Sequence, residues 1–111
     1  MQLKLLARDS KAESIHALAQ TYDLIGENDC VAIIGPAKSQ TTKDVSTWLS
    51  KIPTKNRVVI GYSATSRELG GNKFANFVRT PPADDVVAKK MASLMTGLFV
   101  VELRGPCSNL L

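Results

Sequence analysis

The sequence is poor in aromatic residues, histidine and cysteine, and each shortage excludes a class of function. Aromatic residues make up 5% of the 111 residues, too few for the stacking platforms that bind single-stranded nucleic acid. The one histidine, His16, has no partners for a zinc site or a catalytic triad, so no cofactor, metal or enzymatic activity is expected. The two cysteines, Cys30 and Cys107, do not make a disulfide framework, and we interpret Cys30 as a buried free thiol.

Long runs of basic residues and long runs of apolar residues are also missing. The 14 Lys and Arg residues against 10 Asp and Glu give a net charge of +4, but the cations are scattered, which disfavours a nucleic-acid or membrane patch. No stretch approaches the roughly 20 apolar residues of a membrane-spanning helix. The N-terminal segment has too few apolar residues for a signal peptide, so export is expected only if the chain is part of a longer protein.

Short apolar runs alternate with amphipathic stretches along the chain. An apolar fraction of 44% and a charged fraction of 22% are typical of one small globular domain. Strands are predicted at residues 3–7, 30–34, 57–62, 74–79 and 99–101, and helices at residues 10–26, 39–52 and 84–98, the first beginning with a capping box at Ser10. This order predicts an α/β fold, a parallel sheet with helices on both faces.

Hydroxyl-rich turns follow two of the predicted strands. In open parallel sheets, ligands bind beyond the carboxyl ends of the strands. Ser39, at the start of the second helix, would hold a ligand carboxylate through its hydroxyl and amide. Ser63 and Thr65 would accept hydrogen bonds from a ligand ammonium through carbonyl and hydroxyl oxygens. The pair of turns therefore predicts a site for a zwitterion, and the alternative is that these residues are ordinary helix caps.

Two other features carry weaker indications. Lys38 and Ser39 are adjacent, but the second glycine of a phosphate-binding loop is missing, which argues against nucleotide hydrolysis. Lys38 is interpreted as a solvated cation or as positive charge at the mouth of a pocket. Asp84 and Asp85 are interpreted as residues that cap the third helix.

Three ordered motifs, at residues 31–39, 61–69 and 77–84, closely resemble the receptor family ligand-binding region, which has the type I periplasmic-binding-protein fold. Bacterial amino-acid-binding proteins and the extracellular domains of metabotropic glutamate and other class C G-protein-coupled receptors share it. In the amino-acid-binding members, the serine at the position of Ser39 holds the α-carboxylate, and the residues at Ser63 and Thr65 hold the α-amino group. The resemblance therefore implies a ligand site at Ser39, Ser63, Ala64 and Thr65.

The resemblance also implies how the chain is organised. Residues 1–103 would form a partial lobe 1 of a two-lobed clamshell, without its first strand and second lobe, and residues 104–111 would be an irregular tail. Lys38 and Gln40 stand where family members often have small or hydroxyl residues, which leaves the specificity for amino acids open. An incomplete lobe also predicts poor solubility, because sheet edges and apolar faces are uncovered.

The function that the resemblance implies belongs to an extracellular domain of a membrane receptor. That domain would bind an amino acid or a similar zwitterion for signal transduction, and it would form homodimers through the helices of lobe 1. The turn at residues 62–66 is most similar to that of class C receptors. Two alternatives stay open, a soluble amino-acid-binding protein of a transport system and a small α/β enzyme that binds a nucleotide or flavin.

Overall fold

The structure, a computed structural model, describes residues 1–52 and 57–98. Its helices are α1, Ser14–Gly26, α2, Ser39–Ser50, and α3, Asp84–Leu98, and its strands are β1, Ala32–Ile34, β2, Val58–Gly61, and β3, Phe77–Arg79. Two 3-10 turns, Arg67–Gly70 and Asn72–Phe74, connect β2 to β3. The predicted alternation of strands and helices is confirmed from Ser14 to Leu98, and the predicted strand at residues 99–101 and the tail lie outside the described residues.

The three strands form one parallel sheet in the order β1-β2-β3. Ile33 lies opposite Val59 across the first pair of strands, and Val59 lies opposite Phe77 across the second. Val59 is completely buried, as expected for the central strand of a parallel sheet. The parallel α/β architecture predicted from the sequence is therefore confirmed.

Helices α1 and α2 pack together against one face of the sheet. Their apolar stripes join the inward side chains of β1 and β2 in one core, which contains Ala17, Leu24, Ile33, Val45, Leu49 and Val59. The opposite face carries Ile34 and Val78, which are 64% and 57% exposed. Within residues 1–52 and 57–98, no helix covers that second face, although the sequence predicts helices there too.

The N-terminal region differs from the prediction. Residues 3–7 do not form a strand, and helix α1 begins at Ser14 rather than after a capping box at Ser10. Lys11 and Ala12 have φ angles of 50° and 56°, in the left-handed region that cannot continue a right-handed helix. The hydroxyl of Ser14 instead donates to Asp44 of α2 at 2.5 Å, which ties the two helices together.

Helix α3 stands apart from this core, because none of its residues is buried. Val87, Met91, Leu94 and Leu98 recur at spacings of three and four along it, and all four are exposed. Among the described residues, no helix is both long enough and apolar enough to cross a membrane.

Candidate functional site

The two hydroxyl-rich turns meet at the carboxyl edge of the sheet. Because β1 and β2 are parallel neighbours, the segments that follow them emerge side by side. The amide of Gly35 donates to the carbonyl of Ile60 at 2.8 Å. Beyond it, the amide of Ser66 donates to the hydroxyl oxygen of Ser39 at 3.2 Å. The structure therefore brings Ser39 against the turn that contains Ser63 and Thr65.

Ser39 does not act as a helix cap. It is the first residue of α2, and the preceding cap residue, Lys38, makes no side-chain hydrogen bond to the helix start. The buried hydroxyl of Thr42 bonds to the carbonyls of Pro36 and Lys38 at 3.0 and 2.9 Å, which fixes the loop before the helix. The 3-10 turn that begins at Arg67 likewise has no side-chain cap. The alternative of ordinary capping is therefore not supported at either turn.

Glycine is favoured at position 35, where the first turn leaves β1. Its φ of 99° lies in a region that residues with a side chain rarely adopt. A Cβ atom there would also come within 3.3 Å of a ring carbon of Tyr62. A residue with a side chain at this bend would therefore strain the backbone and displace the ring of Tyr62.

The turn at residues 62–66 is anchored from inside and from α3. Ala64 is completely buried and packs with Leu69 and Phe74 in a second core cluster, while Ser63 is exposed. The carbonyl of Thr65 accepts from the amide of Asp84 at 2.9 Å. The prediction gave the ligand both carbonyl and hydroxyl oxygens of this turn. At Thr65 the carbonyl already accepts a hydrogen bond, and the hydroxyl has no hydrogen-bond partner among the described residues.

Arg79 holds the Ser66 turn in place, a contact that was not predicted from the sequence. Its Nη1 donates to the carbonyl of Ser66 at 2.8 Å, so Ser66 is held by Arg79 on one side and by Ser39 on the other. Arg79 lies opposite Gly61 in the sheet register. The signal for it was its position at the end of the third predicted strand, the same edge as both turns.

An ion pair between α2 and the first 3-10 turn supports the same arrangement from outside. Lys43 contacts Glu68, and the side chain of Lys43 is 20% exposed, whereas that of Glu68 is 73% exposed. The hydrogen bond from Lys43 and its positive charge lower the pKa of Glu68 below its ordinary value of 4.5. The pair thus connects the helix that carries Ser39 to the segment that follows the Ser66 turn.

Glu68→Gln is expected to lower stability slightly at neutral pH and to leave it unchanged in acid. A carboxyl with a depressed folded-state pKa contributes stability above its unfolded pKa, and this contribution is lost as the pH falls through the folded value. The effect is small because the carboxylate of Glu68 is largely exposed to solvent. Urea unfolding at about pH 7 and in acid measures it, with Glu27→Gln as control. Equal losses for Glu68→Gln at both pH values would contradict this role of the ion pair.

Comparisons of the sequence with known proteins identify related proteins. The model of the family described as "Receptor family ligand binding region" matches residues 1–99. Glutamate receptors 2.8 and 2.9 of Arabidopsis thaliana are 35% and 34% identical over 94 residues, 84% of this chain. The chain spans only 10% of the length of either relative.

A solved structure shows the same fold. It is a branched-chain amino acid transporter substrate-binding protein from Streptococcus pneumoniae in complex with isoleucine, with a TM-score of 0.63 and 23% sequence identity. The similarity covers 73% of this chain and 22% of that one.

The matched family consists of ligand-binding regions, in agreement with the expectation that the chain is not an enzyme. The sheet, the paired turns and the match over residues 1–99 lead to one assignment. The chain belongs to the receptor family ligand-binding region and has the type I periplasmic-binding-protein fold.

Proposed function

We propose that the chain carries half of an amino-acid site at the carboxyl edge of its sheet. The α-carboxylate would bind the hydroxyl of Ser39 and the first amides of α2, and the α-ammonium would bind the hydroxyls of Ser63 and Thr65. The observation that carries the proposal is the 3.2 Å contact between the Ser66 amide and the Ser39 hydroxyl oxygen. It joins the two turns at one point.

The chemistry of the two turns suits opposite charges. The N-terminus of α2 carries unpaired amides and the positive end of a helix dipole, which favour an anion. Ser39 accepts the Ser66 amide, so its own hydroxyl hydrogen remains available for a carboxylate. Hydroxyl oxygens at Ser63 and Thr65 accept from an ammonium, while buried Ala64 holds the backbone between them in place.

The descriptions of the relatives and of the structural neighbour support an amino acid as the ligand. Two relatives are glutamate receptors, and the structural neighbour holds isoleucine. An amino acid of either kind presents the same carboxylate and ammonium to the site. The side chain would be selected elsewhere, including at Lys38 beside the turn.

The parent protein that we propose is a membrane receptor whose ligand site faces the extracellular side and transmits a signal. The glutamate-receptor relatives favour a receptor over a soluble transport protein. Pairing of two copies through α1 is part of the same proposal. Ile15 and Tyr22 of that helix are 78% and 66% exposed, and they would form the apolar contact.

Titration of the chain with L-glutamate and with L-isoleucine, followed by NMR amide shifts, tests the site. Shifts are expected around Ser39 and Thr65, with a Kd of about 1 mM or weaker, because one lobe supplies only part of the contacts. The double variant Ser39→Ala with Thr65→Ala is expected to abolish them.

The matched control is Ser50→Ala, at the end of α2, where the hydroxyl bonds to the carbonyl of Thr47. It should leave the shifts unchanged. Amines and carboxylic acids of the same size that lack one of the two charged groups should bind more weakly than the amino acids. Undiminished shifts in the double variant would disprove the proposed site.

A further inference from the structure

A cavity lies beside the Ser66 turn, between the two 3-10 turns and the end of β3. It has a volume of about 400 Å³, and we call it the Arg79 cavity. Ser39, Ser63 and Thr65 do not line it, so it is separate from the proposed ligand site. The residues that matter here are Leu69, Gly70, Gly71, Phe74, Phe77 and Arg79.

Arg79 carries a positive charge that no carboxylate balances. Its Nη1 donates to the carbonyl of Ser66 at 2.8 Å, and within residues 1–52 and 57–98 its side chain makes no other hydrogen bond and no ion pair. A guanidinium has further N–H groups to donate. The side chain is partly buried, and neither Nε nor Nη2 is among the completely buried atoms that lack a partner. These groups therefore face space that a ligand can enter.

Gly70 leaves this guanidinium uncovered. A Cβ atom at position 70 would lie 3.3 Å from Nη2 of Arg79, so a side chain there would crowd the group. A Cβ atom at Gly71 would meet nothing closer than the backbone oxygen of Glu68 at 3.8 Å. Neither glycine has a positive φ, so the backbone conformation does not call for glycine at these positions. What the two glycines provide is room beside Arg79.

The charges around the cavity favour an anion. All the residues that line it belong to the described part of the chain, and none of them is acidic. Glu68 is close in sequence, but its carboxylate contacts Lys43. Lys73 adds a second cation, with its Nζ 5.8 Å from the centroid of the Phe74 ring. An anionic group in the cavity would therefore meet attraction from Arg79 and Lys73 without a nearby competitor.

We propose that the Arg79 cavity binds a small organic carboxylate. Its oxygens would accept from the free N–H groups of Arg79, whose planar fork matches the geometry of a carboxylate. Its apolar body would lie against Leu69, Phe74 and Phe77. An inorganic anion would fill only the charged end, because the cavity of about 400 Å³ is much larger than such an ion and has an apolar wall.

Benzoate is the probe, titrated into the full chain at constant ionic strength and followed by NMR amide shifts. Shifts are expected at Gly70, Gly71 and Asn72, with a Kd of about 1 mM for a ligand of this size. Benzamide has the same shape without the charge and should bind at least about tenfold more weakly. Acetate lacks the ring and should bind about fivefold more weakly. Phosphate should also bind more weakly than benzoate.

Two variants and one control locate the carboxylate. Arg79→Gln should weaken benzoate binding at least about tenfold. Arg67→Gln removes the same charge from a side chain that is 82% exposed and does not line the cavity, and it should change the Kd less than about twofold. Gly70→Ala keeps Arg79 but crowds its Nη2, and should weaken binding about threefold to tenfold. It keeps the test valid if Arg79→Gln releases the Ser66 turn, which circular dichroism and Trp48 fluorescence monitor.

Four results would overturn the proposal. Benzoate does not bind, or benzamide binds as tightly, so that charge plays no part. Phosphate binds more tightly than benzoate, which indicates a site for simple anions. Arg79→Gln and Arg67→Gln weaken binding equally, which indicates net charge alone. The double variant Ser39→Ala with Thr65→Ala loses the benzoate shifts, which places benzoate in the proposed ligand site. Benzoate shifts that survive in this double variant would support a separate site, whether or not amino acids bind.

Discussion

Val59→Asp is expected to unfold the domain. Val59 is completely buried at the centre of the sheet, opposite Ile33 and Phe77, in one core with Val45 and Leu49. A carboxylate there would have no cation to pair with among these neighbours, and burying it costs several kcal/mol. Since a domain is stable by only about 5–15 kcal/mol, and no described residue range places a helix on the second face of the sheet, the loss is expected to exceed the stability available.

Far-UV circular dichroism and the fluorescence of Trp48 in urea measure the result. Trp48 is partly buried against the core and lies 6.2 Å from Tyr22, centroid to centroid, so its emission reports on the packing of α1 and α2. Val78→Asp is the matched control, with the same change in the adjacent strand at a side chain that is 57% exposed. It should change the free energy of unfolding by less than about 1 kcal/mol. A cooperative transition in Val59→Asp like that of Val78→Asp would contradict the assignment of the core.

Gly61→Ala is expected to cost about 1–3 kcal/mol of stability and to displace the Ser66 turn. A Cβ atom at Gly61 would lie 2.7 Å from two ring carbons of Phe77, closer than any real contact. The ring of Phe77 packs against both core clusters, so it cannot move away without opening one of them. The other response is a shift of Gly61 itself, which is the last residue of β2 and leads directly into the turn.

Gly97→Ala provides a control of opposite sign. A Cβ atom at Gly97 meets nothing within 4 Å, and alanine in a helix is favoured over glycine by about 0.5–1 kcal/mol. In urea unfolding, Gly61→Ala should therefore have a lower free energy of unfolding than the unmodified chain. Gly97→Ala should have an equal or higher free energy of unfolding. In the NMR titration, Gly61→Ala should also lose the shifts at Thr65, whereas Gly97→Ala should retain them. Two substitutions with the same effect would argue against the contact between Gly61 and Phe77.

The elements of this fold were largely predictable because local signals and tertiary packing agree. The apolar run before Gly35 and the stripe that carries Val45 and Leu49 end at glycine, proline or polar residues, and the structure has β1 and α2 there. The start of α1 was not predictable from a capping pattern. The left-handed residues Lys11 and Ala12 precede it, and neither residue type signals that conformation.

The candidate site was predictable in position and less so in detail. Parallel strands that end together place Ser39 and Thr65 at one edge, and this follows from the alternation of elements alone. The bonds that hold Ser66, from Arg79 and to Ser39, depend on side-chain directions across a register that sequence spacing does not specify. The roles of Ser39, Ser63, Ala64 and Thr65 in ligand binding stay predictions.

The bond between the Asp84 amide and the Thr65 carbonyl has a mechanical consequence. It lies at the first residue of α3, a helix of 15 residues that is about 22 Å long and has no buried residue within the described part of the chain. A rotation about this point of only about 10° would move the far end at Leu98 by about 4 Å at that helix length, while the Thr65 carbonyl hardly moves. By this geometry, any change in the direction of α3 at Thr65 would be magnified along the 15 residues of the helix.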